Sequence, residues 1–426
     1  MTETIRLYDT NAYLTRCEAK VLEIRSAVQG PSEENPTSAE DNLTGPESGR
    51  TMLDLITDQT VFFPEGGGQS ADRGWIFAEG TTDTGSLAFS VTDVRMRDGM
   101  ILHRIQCTPE EADVLQAGAA VTLQIDWERR FSFMQNHTGE HILSGLMHNR
   151  YGFDNIGFHL SDNSVTLDVN GQLDEEEILF LEWEANEVVY SNLPVKVSYP
   201  AQTELDSISY RSKIEIEGQI RLVTIPDVDV CACCATHVRM TGEIGLIKIV
   251  RSLRFSGGMR LFIVCGRRAL ALMQKRQQRI EEVSHLTNRS QDEIGEGVRH
   301  LLDEIGALKQ KNRELEYRAA YLRLSTIPAE EKNVYMFVGE MDTIVQRNLV
   351  NKLCEEHEGV CGVFSGSASG TDERAAYRYI IGSRSADSTK VQKVLREKLG
   401  AKGGGKPEMI QGSVSGTEEE IRKALA

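Results

Sequence analysis

The stretch that decides the fold is WERRFSFMQNHTGEHILSGLMHNRY, residues 127–151. Phe133, Ile142 and Leu146 recur among long helix-forming residues, and this pattern predicts a helix from about residue 130 to 149. Within it, His137 and His141 are four residues apart, which puts both imidazoles on one face of the helix. Two such imidazoles can bind one metal ion, but a single pair is a weak signal because helical histidines more often lie at the surface or in the core.

A second pair with the same spacing occurs in CACCATH, where Cys233 and His237 are four residues apart. One thiolate and three imidazoles are a plausible tetrahedral ligand set for zinc. The sequence therefore predicts Zn²⁺ bound by the two pairs together, His137, His141, Cys233 and His237. Four protein ligands are typical of a structural zinc site, whereas catalytic sites keep an open position, so the role of the ion stays open.

Two neighbouring features admit other interpretations. Cys231 and Cys234 form a C-x-x-C pair, which leaves redox chemistry open, although no following helix or βαβ context favours it. Glu140 precedes the second histidine, whereas the glutamate of an H-E-x-x-H protease follows the first one. We therefore expect Glu140 to be solvated.

The sequence before this stretch predicts a small β-rich domain over residues 1–125. Residues 15–27 have a strand pattern, and residues 56–125 contain short apolar runs interrupted by Gly and Asp. Between them, residues 30–50 are rich in Gly, Pro, Ser and acidic residues and contain no aromatic residue. Such a segment cannot bury enough apolar surface to offset its ordering entropy, which predicts a mobile insertion.

The sequence after it predicts an α+β zinc-binding domain over residues 126–266, since helices and then strands occur in one segment. Beyond the first helix, the patterns predict four further features: a strand at 155–169, a helix at 173–192 with Asp174 near its start, a hairpin at 213–225 turning at Glu217-Gly218, and two strands around Gly257-Gly258.

Residues 267–326 are predicted to be a helical, coiled-coil linker. Residues at alternating steps of four and three form a heptad repeat, and we call them the heptad seam: Ile294, Val298, Leu301, Ile305, Leu308, Asn312, Leu315, Ala319 and Leu322. A homodimer through this seam is one interpretation, and a long helix packed on a neighbouring domain is the other. Ser290 and Glu293 are placed as a capping box at the start of the helix.

The last segment, residues 327–426, is predicted to be an α/β domain. The net charge of the chain, −17, argues against a nucleic-acid partner at face value. Yet residues 384–406 contain seven Lys or Arg against two acidic residues, a local balance of +5. Affinity for phosphate depends on such local patches, so RNA binding stays compatible with the composition.

Composition and termini indicate a cytoplasmic protein. No apolar run approaches the roughly 20 residues that span a bilayer, so no membrane is expected as a partner. The N-terminus lacks the pattern of a signal peptide. Three of the eight cysteines fall within four consecutive residues, which favours metal binding in a reducing compartment over a disulfide framework.

The two candidate metal motifs resemble those of a known family. NHTGEHILS (136–144) and CCATHV (233–238) are similar to the two metal motifs of the editing domain of alanyl-tRNA synthetase, which the AlaX proteins share. The usual second motif is C-G-G-T-H, so Cys234 and Ala235 stand where glycines are expected. TVFFPEGGGQSADRG (60–74) resembles the glycine-rich loop of the preceding domain, and GAKGGGKPEMIQGS (400–413) resembles the signature of the C-terminal RNA-recognition domain. The layout is that of the long form of AlaX.

The resemblance implies a zinc-dependent deacylase that removes serine, and also glycine, from tRNA(Ala). It implies catalytic roles for Gln69, His137 and His141, and a contact of Gln69 with the substrate. Polar groups on the strand GFHLSDNSVT, such as His159 and Thr166, are the other candidates for that contact. The resemblance also implies tRNA contacts at Gly403, Gly404, Gly405 and Lys406. Because the chain begins with the editing-associated domain, editing in trans is expected. Two alternatives stay open: an RNA-binding module with structural zinc, and a hydrolase for another tRNA, since the editing domain of threonyl-tRNA synthetase is related.

Overall fold

The chain folds into two compact units. The computed structural model describes residues 3–27, 50–79, 86–212, 218–366 and 375–426, so the predicted insertion at 30–50 lies, except for Arg50, outside the described residues. The first unit is Met1–Gln278 and the second is Arg279–Ala426. The multidomain α+β character agrees with the sequence, whereas the four-part division of the chain stays a prediction.

A closed six-stranded antiparallel barrel begins the first unit, in the region where a β-rich domain was expected. In order around the barrel, its strands are Arg16–Ser26, Thr51–Thr57, Met100–Cys107, Ser86–Arg97, Gly74–Glu79 and Ala120–Ile125. Side chains alternate between the two faces of each strand, and the inward ones, such as Leu55, Ile76, Ile105 and Leu123, are fully buried. Short elements flank the barrel: strands Ile5–Arg6 and Gln59–Thr60, helices Leu7–Thr10 and Pro109–Ala112, and the 3₁₀ helix Asp113–Leu115.

One long helix, Trp127–Tyr151, carries the first histidine pair, and we call it the site helix. Asp126 caps its start by accepting a hydrogen bond from the backbone N–H of Arg129, and Gly152 ends it in the left-handed conformation. Fifteen of its 25 residues are buried, so the helix lies inside the unit and not on its surface. Gly139 and Gly145 permit this packing, since a Cβ at either position would lie 2.4 Å from Cys265 Sγ or the Val228 carbonyl oxygen.

Two antiparallel sheets and a second helix complete this part of the unit. The predicted strand at 155–169 is in fact two paired strands, because residues 161–164 turn the chain between them. The predicted second helix forms at Glu175–Tyr190, and Asp174 caps it. In order across the larger sheet, the strands are Ile247–Phe255, Gly258–Cys265, Val165–Val169 and Asn155–Leu160.

The smaller sheet corrects a second expectation. Residues 213–217 of the predicted hairpin at 213–225 lie outside the described residues. The strand Leu222–Ile225 pairs instead with Asp229–Ala232 on one side and Lys196–Ser198 on the other. Helix Gln202–Leu205 and the 3₁₀ helix Thr241–Ile244 lie in the adjoining segments.

The second unit contains a mixed five-stranded sheet. In order, its strands are Val334–Val338, Cys361–Ser365, Ala375–Gly382, Met409–Gly416 and Lys402–Lys406. The first two strands are parallel and the other pairs are antiparallel. Its helices are Thr343–Glu356, Thr389–Leu399 and Glu418–Leu425.

The predicted linker is helical. Helix Gly266–Thr287 is followed by the 3₁₀ helix Gln291–Glu293 and by Ile294–Leu324, which we call the seam helix. The predicted capping box is wrong: Ser290 Oγ donates to the Glu293 carboxylate at 2.7 Å and accepts no hydrogen bond from a backbone N–H, and the α-helix begins only at Ile294. Along the described parts of the chain, no helix combines the length and apolar character that crossing a membrane would require.

Candidate metal centre

The four predicted ligands come together. Their ligand atoms all lie within 4.8 Å of one another, and the three imidazoles are buried. Nε2 of His137 lies 3.5 Å from Cys233 Sγ, and Nε2 of His237 lies 3.4 Å from the same sulfur. The site helix supplies His137 and His141, while the segment after strand Asp229–Ala232 supplies Cys233 and His237.

The spacing of these atoms fits a tetrahedral zinc ion. Zinc bonds of about 2.3 Å to sulfur and about 2.0–2.1 Å to nitrogen imply a nitrogen–sulfur separation of about 3.5 Å at a tetrahedral angle. The two separations from Cys233 Sγ are 3.5 and 3.4 Å. The donor set of one sulfur and three nitrogens is also one that zinc prefers.

Each imidazole is held from behind through its other nitrogen. His137 Nδ1 lies 2.8 Å from Gln69 Oε1, and His141 Nδ1 lies 2.8 Å from Asp229 Oδ2. His237 Nδ1 lies 3.1 Å from Thr138 Oγ1. An amide oxygen and a carboxylate can only accept, so Gln69 and Asp229 fix the tautomers that leave Nε2 of His137 and His141 free for a metal.

The electrostatics of the cluster favour a thiolate among imidazoles. Burial raises the pKa of Cys233, but its contacts with His137, His141 and His237 outweigh this and bring that pKa well below its ordinary value. Burial lowers the pKa of His141, yet the bonds to Asp229 and Cys233 raise it well above the ordinary value. Burial also lowers the pKa of His237 to about 3. A deprotonated thiol is the form that binds a metal.

The two other cysteines of the motif behave differently. Burial raises the pKa of Cys231, and it raises the pKa of Cys234 to about 11. Both therefore stay protonated near neutral pH, whereas a reactive C-x-x-C pair needs a thiolate. The redox interpretation of this pair thus finds no support in the electrostatics.

The glycine-rich loop positions Gln69. Gly66 and Gln69 exchange two backbone hydrogen bonds of 3.1 Å, and between them Gly67 and Gly68 have φ angles of 61° and 80°. Positive φ at both central positions defines a tight primed turn that glycine adopts without strain. The turn brings the fully buried Gln69 side chain to His137, and its Nε2 has no hydrogen-bond partner among the described residues.

Sequence reasoning missed the residues behind the ligands and misjudged Glu140. Asp229 Oδ1 accepts from Arg211 Nε at 2.8 Å, so that carboxylate bridges Arg211 and His141. Glu140 is buried and not solvated, because Ser144 and Asn155 both donate to its carboxylate. The strand pattern held one usable signal: Asp229, Cys231 and Cys233 alternate, which places all three on one face.

A cavity of about 640 Å³ opens beside the cluster. His137, His141 and Cys233 form its base, and Gly67, Gly68 and Phe158 form part of its wall. The three predicted substrate contacts, Gln69, His159 and Thr166, are not among the described residues that line it, although Gln69 bonds to the lining residue His137. His159 is exposed and pairs with Thr166 on the neighbouring strand, and alternation points both away from the face on which Phe158 lies.

In the second unit, the predicted tRNA-contacting residues form the exposed edge strand Lys402–Lys406. A Cβ at Gly403 or Gly405 would lie 2.3 Å from a carbonyl oxygen of the adjacent strand, whereas one at Gly404 would meet nothing within 4 Å. Glycine at positions 403 and 405 is thus explained by packing within the sheet. At position 404, nothing among the described residues requires it.

The open face around Gly404 is basic. Lys402, Gly404 and Lys406 share one face of the edge strand by alternation, and Gln411 lies opposite Gly404 on the next strand. Arg347 donates to Gln411 Oε1 at 2.9 Å, and Arg378 lies exposed on the third strand. Among the described residues, the exposed side chains of this face include no carboxylate, in a chain of net charge −17: Ala376, Arg378, Lys402, Lys406, Gln411, Ser413 and Ser415.

Comparison with known families identifies the class of protein to which these modules correspond. Residues 3–129 match the tRNA synthetases class II (A) family, and residues 220–299 match the threonyl and alanyl tRNA synthetase second additional domain. Residues 330–426 match the DHHA1 domain. The chain is therefore a multidomain α+β protein built from modules of the kind found in tRNA synthetases.

Individual relatives define the class of similar proteins more closely. The chain is 31% identical to the alanyl-tRNA editing protein AlaX-L of Pyrococcus horikoshii over 273 residues, which cover 63% of this chain and 60% of that protein. It is 30% identical to the alanine–tRNA ligase of Pyrobaculum neutrophilum over 396 residues, 87% of this chain and 42% of the ligase. The matches thus span 60% or less of these relatives' length. The resemblance to long-form AlaX and to the editing and C-terminal domains of alanyl-tRNA synthetase is confirmed.

Proposed function

We propose that this protein is an aminoacyl-tRNA deacylase that edits tRNA(Ala) wrongly charged with serine, with glycine as a second substrate. The similarity to AlaX-L and to alanine–tRNA ligases supports the RNA partner. The observation that carries the proposal is the set of three imidazoles around one thiolate at the base of a cavity, with every ring held by a second side chain. We propose Zn²⁺ as the cofactor, bound by His137, His141, Cys233 and His237.

Most of the catalytic work of this chain is positioning. When bound, zinc would polarise the ester carbonyl or activate the attacking water. Water adds its oxygen to the carbonyl carbon, and the ribose oxygen leaves with a proton. Gln69 and Asp229 keep His137 and His141 in the ligand tautomer, and the turn at Gly66–Gln69 closes one wall of the cavity.

Discrimination against correct alanine requires a polar contact to the serine side chain. Alanine is smaller than serine, so size cannot exclude it, whereas a hydrogen bond to the hydroxyl can discriminate by about 10⁴–10⁵-fold. Gln69 Nε2 is a buried donor without a partner among the described residues, and we propose it for this contact. None of the three candidates lines the cavity directly, but the Gln69 side chain bonds to the lining residue His137. His159 and Thr166 are less suited, since they lie on the strand face opposite Phe158.

The deciding experiment compares the hydrolysis of seryl-tRNA(Ala) and alanyl-tRNA(Ala). We expect rapid loss of serine only, and loss of this activity in a folded His137→Ala variant. The matched control is His159→Ala. His159 is an exposed histidine on strand Asn155–Leu160, so this variant should keep full activity. No hydrolysis by the folded, zinc-loaded protein would favour an RNA-binding module with structural zinc. Preferential hydrolysis of an ester on tRNA(Thr) would favour the threonyl alternative.

We propose that the open basic face of the second unit holds the tRNA, with Gly403, Gly404, Gly405 and Lys406 at its edge. Gly404 gives the sharpest test, since nothing in the described sheet requires glycine there. Gly404→Val should leave the thermal transition unchanged and weaken tRNA binding. Lys406→Ala should also weaken binding and lower its salt dependence. Lys332→Ala, which removes an exposed lysine beside Glu358 and outside the basic segment 384–406, should do neither.

We further propose a cytoplasmic homodimer. The large apolar residues of the heptad seam from Val298 to Leu322 are between 40 and 70% exposed, and a second copy offers the complementary surface. Ala320 and Leu324, on another face of the seam helix, pack against the sheet and helix Thr343–Glu356 of the same unit, so the last turns of the seam helix fit the packed-helix alternative. All eight cysteines are unpaired, which suits a reducing compartment.

A further inference from the structure

One rim of the cavity lies at the end of the small sheet, beside the proposed metal ligand Cys233. Ser198 pairs with Leu222, and Leu222 pairs with Ala232, so Tyr199, Arg221 and Cys233 follow each other at the same end of the small sheet. The Cys233 backbone N–H donates to the Arg221 carbonyl at 3.1 Å. Arg221 Nη1 donates to the Cys233 carbonyl at 2.6 Å, so its guanidinium lies immediately beside the metal cluster.

This rim carries an excess of positive charge. Apart from the metal ligands, the charged side chains that the described residues contribute to the cavity wall are Arg6, Asp9 and Arg221. Arg6 Nε lies 3.3 Å from Asp9 Oδ2, so two guanidinium groups face a single carboxylate. Arg221 Nε is buried without a hydrogen-bond partner among the described residues. A guanidinium with an unused donor in a cavity wall is suited to an anion, above all a phosphate.

An aromatic ring completes the rim. Tyr199 lines the cavity with Arg221 and is 43% exposed, so a large part of its ring is open to a ligand. Aromatic rings on which bases stack, next to cations that contact phosphate, are the usual elements of single-stranded RNA recognition. The end of a charged tRNA presents these groups, since the amino acid is esterified to a terminal nucleotide that carries a 5′ phosphate.

We propose that this rim, Tyr199 with Arg221 and the Asp9-held Arg6, binds the terminal nucleotide of the aminoacyl-tRNA. Tyr199 stacks on the base, the two arginines contact its 5′ phosphate, and the ester is thereby directed to the metal cluster. The inference rests on the proposed deacylase function and names the residues that position its substrate.

The test uses two small substrates that differ only in the phosphate: adenosine carrying serine on its ribose 3′ oxygen, and adenosine 5′-monophosphate carrying the same ester. Hydrolysis of each is followed with the zinc-loaded full chain. Arg6→Gln should lower kcat/KM for the phosphate-bearing ester by about tenfold, the effect of one charge-assisted hydrogen bond, and leave the other ester unchanged. Tyr199→Ala should lower kcat/KM for both esters by about tenfold, because KM rises while kcat stays unchanged.

Arg221→Met is the second phosphate variant, read together with its zinc content because Arg221 also bonds to the backbone of Cys233. An effect of Arg6→Gln or Arg221→Met on both esters alike, or on neither, would overturn the proposal. Loss of kcat at unchanged KM in Tyr199→Ala would overturn it too. If the wild-type protein hydrolyses neither these esters nor seryl-tRNA(Ala), the deacylase function itself fails. If the protein hydrolyses seryl-tRNA(Ala) but neither small ester, the nucleotide-binding role of the rim is refuted and the deacylase function stands.

Discussion

The site helix and the seam helix place their side chains in opposite ways. The site helix buries six polar or charged residues of kinds that normally face water: Arg130, Gln135, Asn136, His137, Glu140 and His141. The seam helix exposes Leu301, Ile305, Leu308 and Leu315, although such residues normally lie in a core. The helix with the clearest apolar repeat is thus the less buried one.

The difference shows what a periodic pattern can and cannot establish. Periodicity predicts that a segment is helical and which residues share a face, but burial depends on what packs against that face. The polar residues of the site helix tolerate burial because each has a partner: Asp72 for Arg130, Gln69 for His137 and Asp229 for His141. The apolar seam has no such cover within the described chain.

The largest loss of stability is expected when a buried ion pair of the site helix is broken. Arg130 is fully buried and bonds to Asp72 and to the carbonyls of Ala12 and Val61. Arg130→Met leaves Asp72 as an uncompensated buried charge, which should lower the free energy of unfolding of the first unit by about 3–5 kcal/mol. Chemical denaturation followed by tryptophan fluorescence measures this, since all three tryptophans lie in that unit.

The matched control is an exposed pair of the same chemistry. Arg260 bonds to Asp168 at 2.7 Å, but 47% of its side chain is exposed. Arg260→Met should therefore lower the free energy of unfolding by no more than about 1 kcal/mol. Equal losses in the two variants would show that burial does not set the value of these arginines.

A smaller effect is expected behind the metal cluster. Asp229→Asn replaces the carboxylate that holds His141 and should weaken zinc binding by about 10–100-fold. Competition with a chelating dye measures the affinity. Asp227→Asn, an exposed position in the same hairpin, should bind zinc as the wild type does. If Asp229→Asn also keeps wild-type affinity, the ring of His141 is positioned by its helix alone.

The sequence was most informative where a pattern repeats within one element. The i, i+4 spacing of His137 and His141, and of Cys233 and His237, anticipated the cluster because helical or turn-like spacing brings such residues together locally. Asp229 and Thr138 were missed because each bonds to a ligand that is 88 or 99 residues away in the sequence. Arg211 was missed because its role is to bond to Asp229. His159 and Thr166 were proposed as substrate contacts from their strand alone, and alternation fixes that two residues share a face but not which face is inward.

Substitutions on the seam helix should change stability least, but they should halve the molecular mass of the assembly in solution. Leu301 and Leu308 are 40 and 58% exposed, so the double variant Leu301→Ser, Leu308→Ser should change the stability of the single chain by about 0.5 kcal/mol or less. If the seam pairs two chains, sedimentation should show a dimer for the wild type and a monomer for the variant.

Leu302→Ser supplies the comparison, because Leu302 is 62% exposed but lies one residue outside the heptad positions. A dimer that survives Leu302→Ser and dissociates in the double variant would assign the seam to self-association and not to general stickiness of an apolar surface. Dissociation by both variants, or a monomeric wild type, would contradict the homodimer. In that case the exposed seam would have to serve a different partner, because an apolar face of this length is otherwise a liability for solubility.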